Sequence, residues 1–349
     1  MFQDITLEEL RSLKARKKLT IIDVRSPSEY LESTLPDSLN IPLFDDQERA
    51  EIGTLYKQTS VQAAKERGLE VVSAKLPAFI KEFGAIEGDK VVFCWRGGMR
   101  SRTTATVLSL MDIHAYRLVG GFKAYRKWVL DELETYDFTP KPFVIHGNTG
   151  TGKTNLLHRL KRLGHPILDL EGLAGHRGSI FGQIGLRANN QKTFDSLLLE
   201  QLKTLEGSPY VLFEAESKRI GKVVMPPFMA HQKEIGTQLW IQMPIHARVH
   251  QILEDYKPEQ YKDQYITAFR SIKSRIHVPV AVEIERSLNS DQFAEAVALL
   301  LEYYYDPKYD YTSTQYEGSE KVCFSVNNLD EAEEAIVSYL AEQGHSINK

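Results

Sequence analysis

The 349-residue sequence predicts an α/β protein of two domains, each built on a largely parallel sheet. Three observations lead there. Short β-branched runs alternate with amphipathic stretches from the start of the chain. Twice, at Cys94 and at Gly147, an apolar strand runs into a glycine-containing loop and then a helical pattern. Between Asp131 and Pro142 (DELETYDFTPKP) the apolar periodicity lapses, and two prolines closely precede a new strand. The boundaries are therefore placed at 1–130, a linker 131–142 and a second domain 143–349. A chain of this length exceeds one ordinary core, given a prior of about 150 residues per domain.

In the first domain Thr20–Val24 (TIIDV), Val91–Cys94 (VVFC) and Arg117–Val119 read as strands. Leu7–Lys14, Val72–Phe83 and Ser101–Met111 have helical spacing. The second domain opens with strand Phe143–His146, a loop, helix Thr154–Leu163 and strand Pro166–Leu170, a βαβ pattern, followed by strands at Tyr210–Phe213 and Gln238–Met243. Its tail reads as helix Asp291–Tyr304, aromatic loop Tyr305–Tyr316, strand Lys321–Val326 and helix Asp330–Gln343, with Asn328 or Asp330 as the cap. Cys323, in KVCFSV, reads as a core residue of its strand.

Composition is that of an ordinary globular chain, 42% hydrophobic and 26% charged. The start carries no apolar run fit for a signal peptide, and no stretch reaches the roughly 20 apolar residues of a membrane helix. With only two cysteines, Cys94 and Cys323, in unlike contexts, a reduced, cytoplasmic setting without membrane association is expected. The net charge of −4 argues against blanket nucleic-acid binding and leaves room for a local basic face, for which Lys218, Arg219, Lys222, Arg270 and Arg275 are candidates. His246 and His250 have the spacing of a helical metal pair but no third ligand accompanies them, so they read as surface or RNA-contacting residues and no structural metal is expected.

Cys94 closes an apolar strand and is followed by Trp95, Arg96, Gly97, Gly98, Met99 and Arg100, then a helix. A thiolate there is expected to face loop amides, a helix N-terminus and the guanidinium groups of Arg96, Arg100 and Arg102, all of which favour the anion. The same cradle would hold an oxyanion. The segment resembles the active loop of the rhodanese family of sulfurtransferases. So do Asp23-Val24-Arg25-Ser26-Pro27-Ser28-Glu29-Tyr30, Leu35–Pro42 and the closing Gly120-Gly121-Phe122-Lys123-Ala124-Tyr125, so that the likeness spans roughly residues 1–130. Five residues separate Cys94 from Arg100 where most rhodanese loops have four. That length occurs in rhodanese-like phosphatases and suits a tetrahedral donor, which keeps phosphatase chemistry open as a rival.

Gly147-Asn148-Thr149-Gly150-Thr151-Gly152-Lys153-Thr154 fits the phosphate-loop pattern G-x-x-x-x-G-K-[ST] in its required place between strand and helix. Inward-turned amides and Lys153 would hold a polyphosphate, and Thr154 a magnesium ion. The loop reads phosphates and not a base, so a diphosphate ester fits as well as a nucleotide. Asp169, Glu171, Glu214 and Glu216 stand at expected strand ends, with Glu214 in the place of the usual metal-side aspartate. The glycine-rich segment around His176 and Arg177 reads as an anion- or substrate-binding loop.

A rhodanese-like parallel-sheet domain followed by a P-loop NTPase-like α/β domain, with DLEGLAGHRGSIFG and LFEAESKRIG, resembles the tRNA 2-selenouridine synthase family over nearly the whole chain. The resemblance implies a transferase that replaces sulfur by selenium in wobble 2-thiouridine, with tRNA as partner and selenophosphate and geranyl diphosphate as co-substrates. It also implies a supply from a selenophosphate-producing enzyme. Cys94 would carry the selenium as a perselenide, and the phosphate loop with magnesium would grip the diphosphate. An ATP-dependent sulfur or persulfide transferase and a P-loop switch protein using the first domain for docking are the other classes weighed.

Overall fold

The computed structural model describes residues 2–308 and 320–346. The chain divides into two compact units, Met1–Thr135 with Asp195–Leu197, and Tyr136–Phe194 with Leu198–Lys349.

The first unit runs β1 (Gln3–Ile5), α1 (Leu7–Arg16), β2 (Leu19–Asp23), α2 (Pro27–Glu32), β3 (Leu39–Asn40), α3 (Asp46–Gln58), α4 (Val61–Gly84), β4 (Asp89–Phe93), α5 (Met99–Leu110), β5 (Ala115–Leu118) and α6 (Gly121–Glu134). Its five strands lie in the order β1-β5-β4-β2-β3, all parallel. Both faces of such a sheet need cover, and the continuous apolar runs supply it: Ile22, Val91, Val92 and Phe93 are fully buried. Helix α4 begins eleven residues before its expected start at Val72, because Ser60 caps it by accepting from the Ala63 amide. The charged first half of that helix, VQAAKERG, hides the period. The segment 131–142, read as a linker, is ordered at both ends, since α6 runs through Glu134 on the strength of buried Val129 and Leu133, and the next strand begins at Lys141.

The second unit continues with β6 (Lys141–Gly147), α7 (Lys153–Arg162), β7 (Ile167–Leu168), α8 (Leu170–Ala174), α9 (Gln191–Thr204), β8 (Tyr210–Glu214), β9 (Arg219–Ile220), β10 (Val223–Val224), α10 (Pro227–Ile235) and β11 (Thr237–Gln242). Helices α11 (Ile245–Tyr256), α12 (Lys262–Ile272), α13 (Val278–Asn289) and α14 (Phe293–Leu300) follow, then a π-helical turn Leu301–Tyr305, β12 (Lys321–Ser325) and α15 (Leu329–Glu342). The main sheet has the order β12-β11-β6-β8-β7, again all parallel, which sets β6 at its centre. β9 and β10 form a separate antiparallel hairpin. One core lies on the sheet around Phe143, Ile145, Leu156, Leu160, Leu212 and Ile336; another joins α12 to α14 through Phe269, Ile272, Ile284 and Leu301.

The tail departs from expectation in three places. The helix expected from Asp291 starts at Phe293 and passes into the π turn at Leu301. Of the aromatic loop, Tyr305 belongs to that turn, while 309–319 lie outside the described residues. Cys323 is exposed, not core: β12 is an edge strand whose alternation half-buries Val322 and Phe324 and leaves Cys323 on the other face. Asn328, and not Asp330, caps α15, accepting from the Glu331 amide at 2.9 Å. Among the described residues, no helix is long and apolar enough to cross a membrane.

Candidate active sites

At the C-terminal end of β4 the chain turns into the thiol loop. Cys94 is 3% exposed, and its Sγ lies 3.3 Å from Ser101 Oγ in the first turn of α5. The closing glycine pair holds this loop by backbone contact: the amide of Phe122 donates to the Cys94 carbonyl, and that of Lys123 to Trp95, both at 2.9 Å. Gly121, at φ +55°, passes so close that a Cβ would stand 2.0 Å from the Cys94 oxygen. The Asp23-Val24-Arg25 signature is a brace: Asp23 and Arg25 form a buried pair at 2.6 Å, and the Arg25 guanidinium lies 4.4 Å from the centre of the Phe122 ring.

The three arginines stand in different settings. Arg96 and Arg102 are exposed, and Arg100 is turned to Glu29, with bonds of 2.5 and 3.2 Å. Burial raises the Glu29 carboxyl, but the bond and charge of Arg100 outweigh it and leave Glu29 below the ordinary carboxylate range. A cation from outside the loop sequence is held against the loop. Arg117 of β5 donates to the Gly97 carbonyl at 3.0 Å and pairs with Asp4. Its pKa is raised chiefly by the Asp4 bond and, among smaller contributions, by Cys94.

In the second unit the phosphate loop spans the gap from Gly147, at the end of β6, to Lys153, at the start of α7. Lys153 Nζ donates to the Gly147 carbonyl at 3.0 Å, and the Thr151 hydroxyl to the Asn148 carbonyl at 3.0 Å. A brace that sequence reading missed lies beneath. Arg248 of α11, 5% exposed, pairs with Asp306 at 2.6 Å and donates to the Thr149 carbonyl at 3.2 Å, while the Asn148 amide donates to Asp306 at 3.1 Å. The loop opens on a cavity of about 850 Å³ whose lining includes Lys153, Thr154, Asp169, Glu171, Arg177 and Glu216.

Carboxylates crowd one wall. The Thr154 hydroxyl donates to Glu171 Oε2 at 2.6 Å. Gly178 lets its loop close on two of them, since a Cβ there would meet Glu216 Oε2 at 2.5 Å and Glu171 Oε1 at 2.8 Å. Asp169 caps α8 by accepting from Gly172 at 2.7 Å and meets His158 at 2.6 Å. Glu214 lies behind the wall, wholly buried at the end of β8, with Oε2 accepting from the Leu170 amide at 3.1 Å and Oε1 without a partner. Burial, then the charges of Asp169, Glu171 and Glu216, push Glu214 well up; burial and Glu216 push Glu171 to about 8, against Lys153 and Thr154. Near neutral pH Glu171 therefore retains a proton that a divalent cation would displace. Among the described residues no three His, Cys, Asp or Glu side chains stand together as a ready metal cage. The donor set of hydroxyl and carboxylate oxygens, with an orphaned Glu214 Oε1, fits magnesium, which keeps water and phosphate oxygens in its shell.

Other candidates separate. Arg177 lines the cavity, donating to Ile184 and Asp255 carbonyls and lying 4.7 Å from the centre of the Tyr256 ring. His176 does not line it: the ring is wedged against Gly182 and Gly221, its Nδ1 buried without a partner, and burial lowers its pKa. Lys218, Arg219 and Lys222, on or beside the β9–β10 hairpin, are all exposed, and Lys218 reaches the cavity lining. Arg275 is exposed, whereas Arg270 shares Glu285 with Lys273.

Residues 140–346 match the family described as tRNA 2-selenouridine synthase AAA domain, and residues 6–127 the rhodanese-like domain. Among curated relatives named tRNA 2-selenouridine synthase, one from Nitrosomonas europaea is 35% identical over 72% of this chain and 67% of its own. One from Sulfurovum sp. is 32% identical, covering 83% and 88%, and one from Hydrogenovibrio crunogenus 30% identical, covering 94% and 96%.

Proposed function

The chain belongs to the tRNA 2-selenouridine synthase family, and from that premise we propose that it is a tRNA-modifying enzyme that exchanges sulfur for selenium in wobble 2-thiouridine by way of an S-geranyl intermediate. The observation that carries the first step is the mixed character of one cavity. Lys153, Thr154 and the loop amides form a diphosphate cradle, while Leu186, Trp240, Ile252 and Tyr256 line the same space with apolar surface. A diphosphate ester of an apolar alcohol meets both demands.

In that step the thiocarbonyl sulfur attacks the carbon bearing the diphosphate, the carbon–oxygen bond breaks, and the pyrimidine gives up its N3 proton. Lys153 and the loop amides stabilise the charge that develops on the departing diphosphate. Magnesium, held by Thr154 with Glu171 or Glu216, would add electrostatic stabilisation of the same leaving group.

In the second step the selenium of selenophosphate attacks the activated C2, a carbon–selenium bond replaces the carbon–sulfur bond, sulfur leaves as the geranyl thiolate, and water cleaves the selenium–phosphorus bond to release phosphate. Cys94 and its loop hold the donor for that attack. Because Cys94 is only 3% exposed, this role requires the loop to move when the donor binds. The tRNA is held in part by the exposed cations of the β9–β10 hairpin.

The test is incubation of the whole protein with 2-thiouridine tRNA, geranyl diphosphate and selenophosphate, followed by mass analysis of the nucleosides. Cys94→Ser should accumulate the geranylated nucleoside, and Lys153→Ala should leave the 2-thiouridine unchanged. Selenium incorporation at the wild-type rate by Cys94→Ser would refute the role given to Cys94.

A further inference from the structure

A narrow slot of about 50 Å³ adjoins the phosphate-loop cavity. Thr149, Ser179, Ile252, Tyr256 and Tyr305 line both spaces and so form the neck between them. Beyond the neck the walls are Phe181, Tyr265, Leu288, Phe293, Val297 and Leu300, from α12, α13, α14 and the segment before α9. Two of the tyrosines lining the slot have their hydroxyls engaged: Tyr265 donates to the Tyr256 carbonyl at 2.9 Å, and Tyr256 meets Ser179 Oγ at 3.4 Å.

We propose that this slot is a hydrocarbon subsite, holding the far end of the chain whose diphosphate sits on the phosphate loop, and that Val297 on α14 helps to set the chain length accepted. The inference rests on the reading of the loop's ligand as a diphosphate ester. Continuity with the loop comes through Thr149, which is itself a loop residue. The chemistry of the walls selects the occupant. A heterocyclic base would bury several donors and acceptors with nothing to meet them, and each such group is penalised. A branched hydrocarbon loses no hydrogen bond on entry and gains roughly a fourfold preference for each methylene buried. The slot is small, so the carbons next to the diphosphate stay in the neck, where they can be attacked, and only the distal carbons enter.

The experiment uses the whole protein, 2-thiouridine tRNA, and dimethylallyl, geranyl and farnesyl diphosphates with five, ten and fifteen carbons, reading kcat and KM for S-alkylation together with inhibition by inorganic pyrophosphate. Val297 is only partly buried, which makes it open to change in both directions. Val297→Phe should raise the KM for geranyl diphosphate about tenfold or more, leaving that for dimethylallyl diphosphate and the pyrophosphate inhibition near wild type. Val297→Ala should shift preference the other way, towards the fifteen-carbon substrate. Unchanged preference in both variants, with alkylation intact, would overturn the slot assignment alone. Failure of the wild type to transfer any of the three chains would instead remove the reading beneath it, and the slot assignment with it.

Discussion

Cys94 and Cys323 offer a contrast that a thiol reagent can read directly. Cys323 is exposed on an edge strand, whereas Cys94 shows 3% of its surface beneath the loop. Iodoacetamide followed by peptide mass analysis should label Cys323 first, with Cys94 on the order of tenfold or more slower. Equal rates would mean that the loop stands open. A second residue-scale expectation concerns the Asp23–Arg25 pair. Replacing Arg25 by Leu leaves an uncompensated carboxylate in a fully buried position and should lower stability by roughly 3–5 kcal/mol in urea unfolding. Asp23 and Arg25 were legible as part of a signature because they are two residues apart. Arg117 was not, since its bond to the Gly97 carbonyl of the thiol loop depends on β5 lying beside β4, and no local pattern announces which strands become neighbours.

Strand β6 positions more than the loop that follows it. Its His146 is buried, hydrogen-bonded to Gln238 of β11 and stacked on Trp240 at 4.4 Å. Burial, with smaller effects from Lys153, Lys233 and Lys321, brings its pKa down to about 3 against the upward pull of Gln238. The folded value lies below the ordinary 6.5, so between these limits the unfolded chain takes up a proton that the folded chain refuses. Stability contributed by neutral His146 is therefore complete above pH 6.5 and is lost as the pH falls towards 3, by on the order of a few kcal/mol. Chemical denaturation from pH 7 to pH 4 should show a shallower acid limb for His146→Gln than for wild type. His165, His176 and His345 are lowered by burial too, so a limb should persist in the variant, and identical limbs would contradict this account. The phosphate loop could be read from sequence because its conformation is written in the spacing of its own glycines. Its support could not: Arg248 and Asp306 are far from the loop in sequence and meet it only once α11 and the π turn have packed. Of the helical layer α11 to α14 only the last helix was read as an element, and the apolar slot that the layer lines was hidden for the same reason.

Taken whole, the molecule carries a net charge of −4, so its affinity for a polyanion must come from a local surface. Two basic stretches were candidates, and the structure distinguishes them. Around residues 270–275, Glu285 takes up Arg270 at 3.1 Å and Lys273 at 2.5 Å, which leaves Arg275 as the one cation of the three without a carboxylate partner among the described residues. On the β9–β10 hairpin, Lys218, Arg219 and Lys222 are exposed and none is paired with a carboxylate among the described residues. The hairpin is anchored from behind, since Gln191 of α9 exchanges hydrogen bonds with Val224 at 2.7 and 2.9 Å and the His176 ring lies against Gly221. Three unpaired cations on a fixed turn suit phosphate contact, and each contact releases a counterion from the RNA. Reversal to Glu at all three positions should therefore reduce the slope of log affinity against log salt for 2-thiouridine tRNA by about two to three, while the same change at Arg270 and Arg275 should reduce it by about one or less. Filter binding between low and moderate salt measures both slopes. Equal slopes for the hairpin variant and the wild type would move the RNA surface elsewhere, and a larger drop for the Arg270 and Arg275 variant would place it at the end of α12 and the turn after it.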